Sequence, residues 1–178
     1  FNILLIIMLK IVFAPDPILR QTCEQLEQVD EHHRQLIKEM FETMYEANGV
    51  GLAAPQVGIN KRIFVFDAGA REEIKKPIAM INPIITSIKK SLSVYEEGCL
   101  SFPGHYAELE RPDEITVEYL DIDNKKQKLT SNDFTSRIIQ HELDHINGIL
   151  FIDHLSRLKR DVIIRKMKKY KKELNQSE

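Results

Sequence analysis

His141-Glu142-Leu143-Asp144-His145 is the stretch on which the reading of this chain turns. Residues four apart share one face of an α-helix, so His141 and His145 aim two imidazoles at one point, with the Glu142 carboxylate beside them as a proton acceptor. The same spacing also describes two solvated or packed histidines on an amphipathic helix. By itself the pentapeptide leaves a metal site and a plain helix both open.

The third ligand separates the candidates, because catalytic zinc-type sites use three protein ligands and keep a fourth position for water. A thermolysin-like arrangement needs a downstream Glu, and none occurs between Glu142 and Glu173. The metzincin pattern holds through Gly148, then has Phe151 where its third histidine belongs, and His154 comes too late. Upstream, Glu97-Gly98-Cys99-Leu100-Ser101 offers a thiol in a tight segment. Cys99 and the two histidines would make a mixed nitrogen and sulfur set for zinc or ferrous iron. A lone cysteine is also at home as a small buried hydrophobe. Further upstream, Gly49-Val50-Gly51-Leu52-Ala53-Ala54-Pro55-Gln56 places small residues in a row before an amide. Such a run lets another group approach the backbone closely, and the amide of Gln56 can donate a hydrogen bond, although a Gly-rich turn also serves as a helix stop.

Taken together and in this order, GVGLAAPQ, EGCLS and QHELDH resemble the three signature motifs of the peptide deformylase family. The likeness runs from about Leu9 to Tyr170, with Phe13-Ala14-Pro15-Asp16-Pro17-Ile18-Leu19-Arg20 similar to the family's opening and His145 to Phe151 to its sequel. It implies a metal-dependent hydrolase that removes the N-formyl group from the formyl-methionine of nascent polypeptides. It further implies Cys99, His141 and His145 as ligands of one divalent metal, with Glu142 as the acid/base and Gln56 with the Leu100 backbone N–H steadying the oxyanion. Ferrous iron is the implied native metal, with zinc, nickel or cobalt able to take the same ligands. Positions similar to the family's peptide contacts are Val50, Gly51 and Glu97. Phe134, Ile138 and the aliphatic part of Arg137 are candidates for the methionine pocket, and equally for ordinary core. Tyr106 stands where the better-known bacterial members carry Arg, and Glu97 to Pro112 looks more like the plant and cyanobacterial subclass.

Composition fits that picture. At 178 residues with 43% hydrophobic content the chain suits one sizeable core, and we expect a single catalytic domain over residues 1–178. With 25 basic against 27 acidic residues and a net charge of −2, no global polyelectrolyte partner is implied. Two cysteines build no disulfide framework, and a thiol committed to metal suits a reducing, cytoplasmic setting in a bacterium, an organellar origin staying open. The apolar run from Ile3 to Leu9 is too short to span a bilayer and lacks the marks of a signal peptide, so residues 1–7 read as a fusion scar, an upstream start or an extra strand.

Periodicity places Asp30 as the cap of a helix to about Ala47, stopped by Asn48-Gly49. β-like stretches follow at Arg62 to Asp67, Ile78 to Ile81, Ile84 to Ile88 and Ile115 to Leu120, with Asn82-Pro83 and Asp121 to Asn124 as turns. The metal helix starts near Ser131 to Asp133 and ends at Asn147-Gly148, with Gly148 left-handed. A closing helix begins at about Arg157. The expected class is α+β, a mainly antiparallel sheet packed around the HExxH helix, with an N-terminal helix and a basic C-terminal helix over 157–178. That last helix reads either as a solvated face or as a contact for ribosomal RNA. Two other classes stay open: a metallopeptidase of the wider HExxH group, and a non-enzymatic module with a closed structural zinc site, for which His105 or His154 would have to supply the fourth ligand.

Overall fold

The computed structural model describes residues 8–70 and 75–177, so the expectation for residues 1–7 lies outside the described residues. Helix α1 spans Glu31–Glu46, and Asp30 caps it by accepting from the His33 N–H at 2.9 Å. Asn48, at φ 56, ends it in the left-handed region. Strands β1 (Gly51–Ala53), β2 (Ile63–Asp67), β3 (Pro77–Ile88), β6 (Ile115–Leu120) and β7 (Lys126–Ser131) form one antiparallel sheet in the order β1-β2-β3-β6-β7. Strands β4 (Leu92–Gly98) and β5 (Tyr106–Pro112) pair separately as a hairpin. Helix α2 spans Asp133–Ile146 and α3 spans Arg157–Ser177.

Strand β2 is buried over its whole length, and its alternation sorts the core into two layers. Ile63 and Val65 join Leu36, Ile37, Met40 and Met44 of α1, while Phe64 and Phe66 join Ile138, Ile139, Leu143 and Ile146 of α2. The sheet therefore lies between the two helices, with the HExxH helix packed on its inner face. A third cluster, including Phe102, Leu109, Phe151 and Met167, ties the segment after β4 to α3. Gly148 closes α2 at φ +74, where an added Cβ would stand 2.5 Å from the Arg20 carbonyl oxygen, so conformation and space both require glycine.

The expected turn at Asn82-Pro83 is not one. Strand β3 runs straight through it, and the register with β6 shifts between Ile81 and Ile84. Asn82 takes φ 50 and spends its side chain on both backbone groups of Leu26, which relieves the ladder where Pro83 has no N–H to give. The β4–β5 hairpin, β1 and β7 were not expected from periodicity; β7 reads KQKLTS and is solvated on most positions.

Helix α3 docks through Ile163, Met167 and Tyr170, and Lys171 Nζ reaches Asp16 Oδ2 at 2.9 Å. Its other face exposes Lys159, Arg165, Lys166, Lys168, Lys169 and Lys172. Among the described residues no helix is long and apolar enough to cross a membrane.

Candidate metal centre

Three elements bring the motifs together. The segment after β4 carries Cys99, α2 carries His141 and His145, and a 3-10 turn over Ala54–Val57 carries Gln56. The Cys99 Sγ and one ring nitrogen of each histidine lie within 4.8 Å of one another, with Cys99 Sγ 3.3 Å from His145 Nε2. That donor set suits a divalent ion of borderline softness, and three protein donors are one fewer than a four-coordinate ion takes.

The far nitrogen of each histidine is treated differently. His141 Nδ1 lies 3.0 Å from Glu97 Oε2, whereas His145 Nδ1 is buried with no hydrogen-bond partner among the described residues. Glu97 is buried between Arg111 and Arg137 and is bonded at 2.7 and 3.0 Å by the first and at 3.2 Å by the second. Burial works against its charge, but the bonds from His141 and Arg111 hold its carboxyl down to about 2. Burial also opposes a charged His141, yet its bonds to Cys99 and Glu97 raise its pKa well above the usual value. Burial and the neighbouring His141 push that of His145 well below it.

Glu142 sits beside these three donors, 4% exposed, and its Oε2 has no hydrogen-bond partner among the described residues. Burial pushes its carboxyl up to about 7, with His141 and Arg111 opposing and Glu97 and Asp144 assisting. A carboxyl in that range takes and returns a proton near neutrality. Gly51 is what lets it lie there: a Cβ on Gly51 would stand 2.3 Å from Glu142 Oε1. Gln56 is locked, its Oε1 accepting from the Ala53 N–H at 2.9 Å and its Nε2 donating to Ser101 Oγ at 3.2 Å and to Cys99 Sγ at 3.4 Å. Leu100 follows the thiol, and its side chain meets Gly49 at the foot of α1. Phe151 braces the assembly from the side, edge-on to Phe102 at 5.2 Å and stacked on His141 at 6.3 Å.

The model for polypeptide deformylases matches residues 8–161. The chain belongs to the polypeptide deformylase family. Removing the formyl group from an N-terminal methionine is the reaction of this family, and its members are hydrolases acting in protein biosynthesis. A peptide deformylase of Agrobacterium fabrum is 48% identical over 159 residues, covering 89% of this chain and 94% of that one. The crystal structure of the Ehrlichia chaffeensis peptide deformylase in complex with actinonin superimposes with a TM-score of 0.88 at 41% identity, over 92% of this chain and 97% of that one. The Synechococcus elongatus enzyme, also with actinonin, gives 0.84 at 42% identity, over 89% and 86%.

Against the deformylase motifs, the three expected ligands, Glu142, Gln56 and Leu100 come together, with Gly51 opening the strand beside them and Val50 just before it. The other expected peptide contacts scatter. Glu97 has its carboxylate fully engaged, which leaves only its main chain for a peptide. Arg137 is buried, with its guanidinium turned to Glu97, Leu109 and Ser93. Ile138 packs in the core with Phe64 and Phe66, and Phe134 alone of the pocket candidates is exposed. Tyr106 is 66% exposed and its ring lies over Gly98. Arg111, Ser101 and Asp144 were not expected as supports; Ser101 and Asp144 lie inside the motifs, while nothing local marks Arg111.

Proposed function

We propose that Cys99, His141 and His145 hold one divalent ion, ferrous iron natively, and that Glu142, Gln56 and the Leu100 N–H carry out deformylation around it. The observation that carries this reading is the convergence of three donor atoms within 4.8 Å beside a buried carboxylate. When bound, such an ion acts as a Lewis acid toward the formyl oxygen and lowers the pKa of a coordinated water. Glu142 accepts the proton of the attacking water and returns it to the departing amine, a shuttle suited to a carboxyl near 7. Gln56 Nε2 and the Leu100 N–H donate to the formyl oxygen as negative charge gathers there, and a donor at such a site contributes about 3–4 kcal/mol. To do so, Gln56 turns one N–H away from Ser101 or Cys99. The peptide lies extended along Val50 and Gly51 as an added strand, with Phe134 at the mouth of the methionine pocket.

The described residues act as one catalytic domain, since each of the three clusters contributes a residue next to the site. A free thiolate ligand fits a reducing compartment, the bacterial cytoplasm. The closed-zinc alternative lacks its fourth donor: His154 Nε2 is turned to Asp144 Oδ2 at 2.9 Å, and the candidate ligand group among the described residues contains neither His105 nor His154. The exposed lysines of α3 give a second, weaker contact, with ribosomal RNA as the enzyme meets emerging chains. Turnover of formyl-Met-Ala-Ser against its acetylated twin tests the main reading. Only the formyl peptide is expected to be cleaved, and equal rates on both would sink it. Reversing Lys166, Lys168, Lys169 and Lys172 to Glu tests the ribosome contact, through loss of salt-sensitive co-sedimentation at unchanged turnover of the small peptide.

A further inference from the structure

The carboxylate that holds His141 is itself held from two sides, and the two holds are not equivalent. Glu97 Oε2, the oxygen 3.0 Å from His141 Nδ1, also accepts from Arg111 Nη2 at 3.0 Å, and Glu97 Oε1 accepts from Arg111 Nε at 2.7 Å. Arg111 Nη1 then reaches Asp144 Oδ2 at 2.8 Å, on the helical turn between the two histidines. Arg137 touches only Oε1, at 3.2 Å, and spends its other donors on the Leu109 carbonyl and on Ser93. All three side chains of this group are close to fully buried.

We propose that Arg111 is a positioning residue for the metal, acting through Glu97 to fix the tautomer and ring plane of His141, while Arg137 is a strut between α2 and the β4–β5 hairpin without that role. The inference rests on the reading of His141 as a ligand. An imidazole presents its Nε2 lone pair when Nδ1 carries the proton, and Nδ1–H stays in place only against a fixed acceptor. Two parallel bonds from one guanidinium stop a carboxylate from rotating; a single bond to one oxygen does not. Asp144 closes the frame by fastening Arg111 to the helix that bears both histidines, so strand β4, strand β5 and α2 are locked at one point. His145 has no counterpart to this arrangement among the described residues.

The test compares Arg111→Met, Arg111→Lys and Arg137→Met as zinc-loaded holoenzymes. Metal affinity is read by competition with a chromogenic chelator, and thermal midpoint is measured alongside. Arg111→Met is expected to weaken zinc binding by about 10–100-fold, the usual size of an outer-shell effect. Arg111→Lys should recover part of it, since lysine keeps the charge but not the paired bonds. Arg137→Met should lower the midpoint while its zinc affinity stays close to native. If Arg111→Met falls short of folding, Arg111→Lys against Arg137→Lys carries the same comparison. Equal shifts in affinity from both arginines, or no shift from Arg111, would overturn the proposal. His141→Ala separates the two layers: zinc retained there defeats the ligand reading, whereas zinc lost there but kept by the Arg111 variants defeats only this inference.

Discussion

Gly51→Ala is the sharpest single test of where the proton-handling carboxylate sits. The new Cβ would lie 2.3 Å from Glu142 Oε1 and 2.9 Å from its Cδ, where ordinary contact begins at 3.4 Å, so the carboxylate has to retreat by about 1 Å. Gly51 is not among the glycines with positive φ, so alanine fits its backbone and the fold should survive. Displacing a reacting group by that distance costs about 100-fold in rate, or about 2.7 kcal/mol of barrier. The assay is kcat on a formyl-Met peptide with metal content and thermal midpoint measured on the same sample. Activity should fall while both of the others hold. Glu142→Ala should lose about 10²–10⁴-fold with metal retained, and the double variant should be little worse than Glu142→Ala alone, because both act on one group. Turnover within a few-fold of native in metal-loaded Gly51→Ala would refute the reasoning.

Three further outcomes are expected. Cys99→Ala should lose its metal by elemental analysis and Cys23→Ala should keep it, because Cys23 lies buried in the core cluster on the α2 side with its thiol pushed up to about 11 by burial. The iron-loaded enzyme should decay in air and the nickel form persist, since a redox-active ion beside a thiolate exposes both to oxidation; days of aerobic stability would count against iron or against the thiolate. Burial opposes the charge on Asp153, but Arg20 and the Leu150 N–H outweigh it and lower its pKa in the folded state. The stability it contributes is therefore present above the ordinary carboxylate pKa and lost as pH falls through the lowered one, so Asp153→Asn should be less stable than native at pH 7 and converge with it in acid, as thermal melts across pH would record.

The site was more legible than the sheet. Asp30, Asn48 and Gly148 announce helix ends because capping and left-handed positions are local chemistry, and the structure has each where expected. Asn82-Pro83 carries the same local signs as a turn. What makes it a bulge is Leu26, a partner 56 residues away that no window contains. Strands β4 and β5 escaped because LSVYEEG and YAELERP mix charged with apolar residues, and their inward charges are satisfied only by one another and by α2. Arg111 stayed hidden for that reason: its partners lie 14 and 33 residues away. Ile138 and Arg137 were ambiguous because α2 is buried on nearly every side from Ser136 to Leu143, and an apolar stripe distinguishes pocket from core only when one face of a helix is wet.

Phe151 gives this enzyme an order of assembly. Its ring rests on His141 and on Phe102, three residues beyond Cys99, so the last-made of these residues props both halves of the centre. A ribosome producing this chain releases the thiol first, the two imidazoles much later and the prop last. A half-made copy thus presents the sulfur and Gln56 without the two imidazoles, and the three donors can meet at one ion only once His145 has been made. Members of this family act on other chains, and in this one the candidate donor set is complete only after its own HExxH helix has been made.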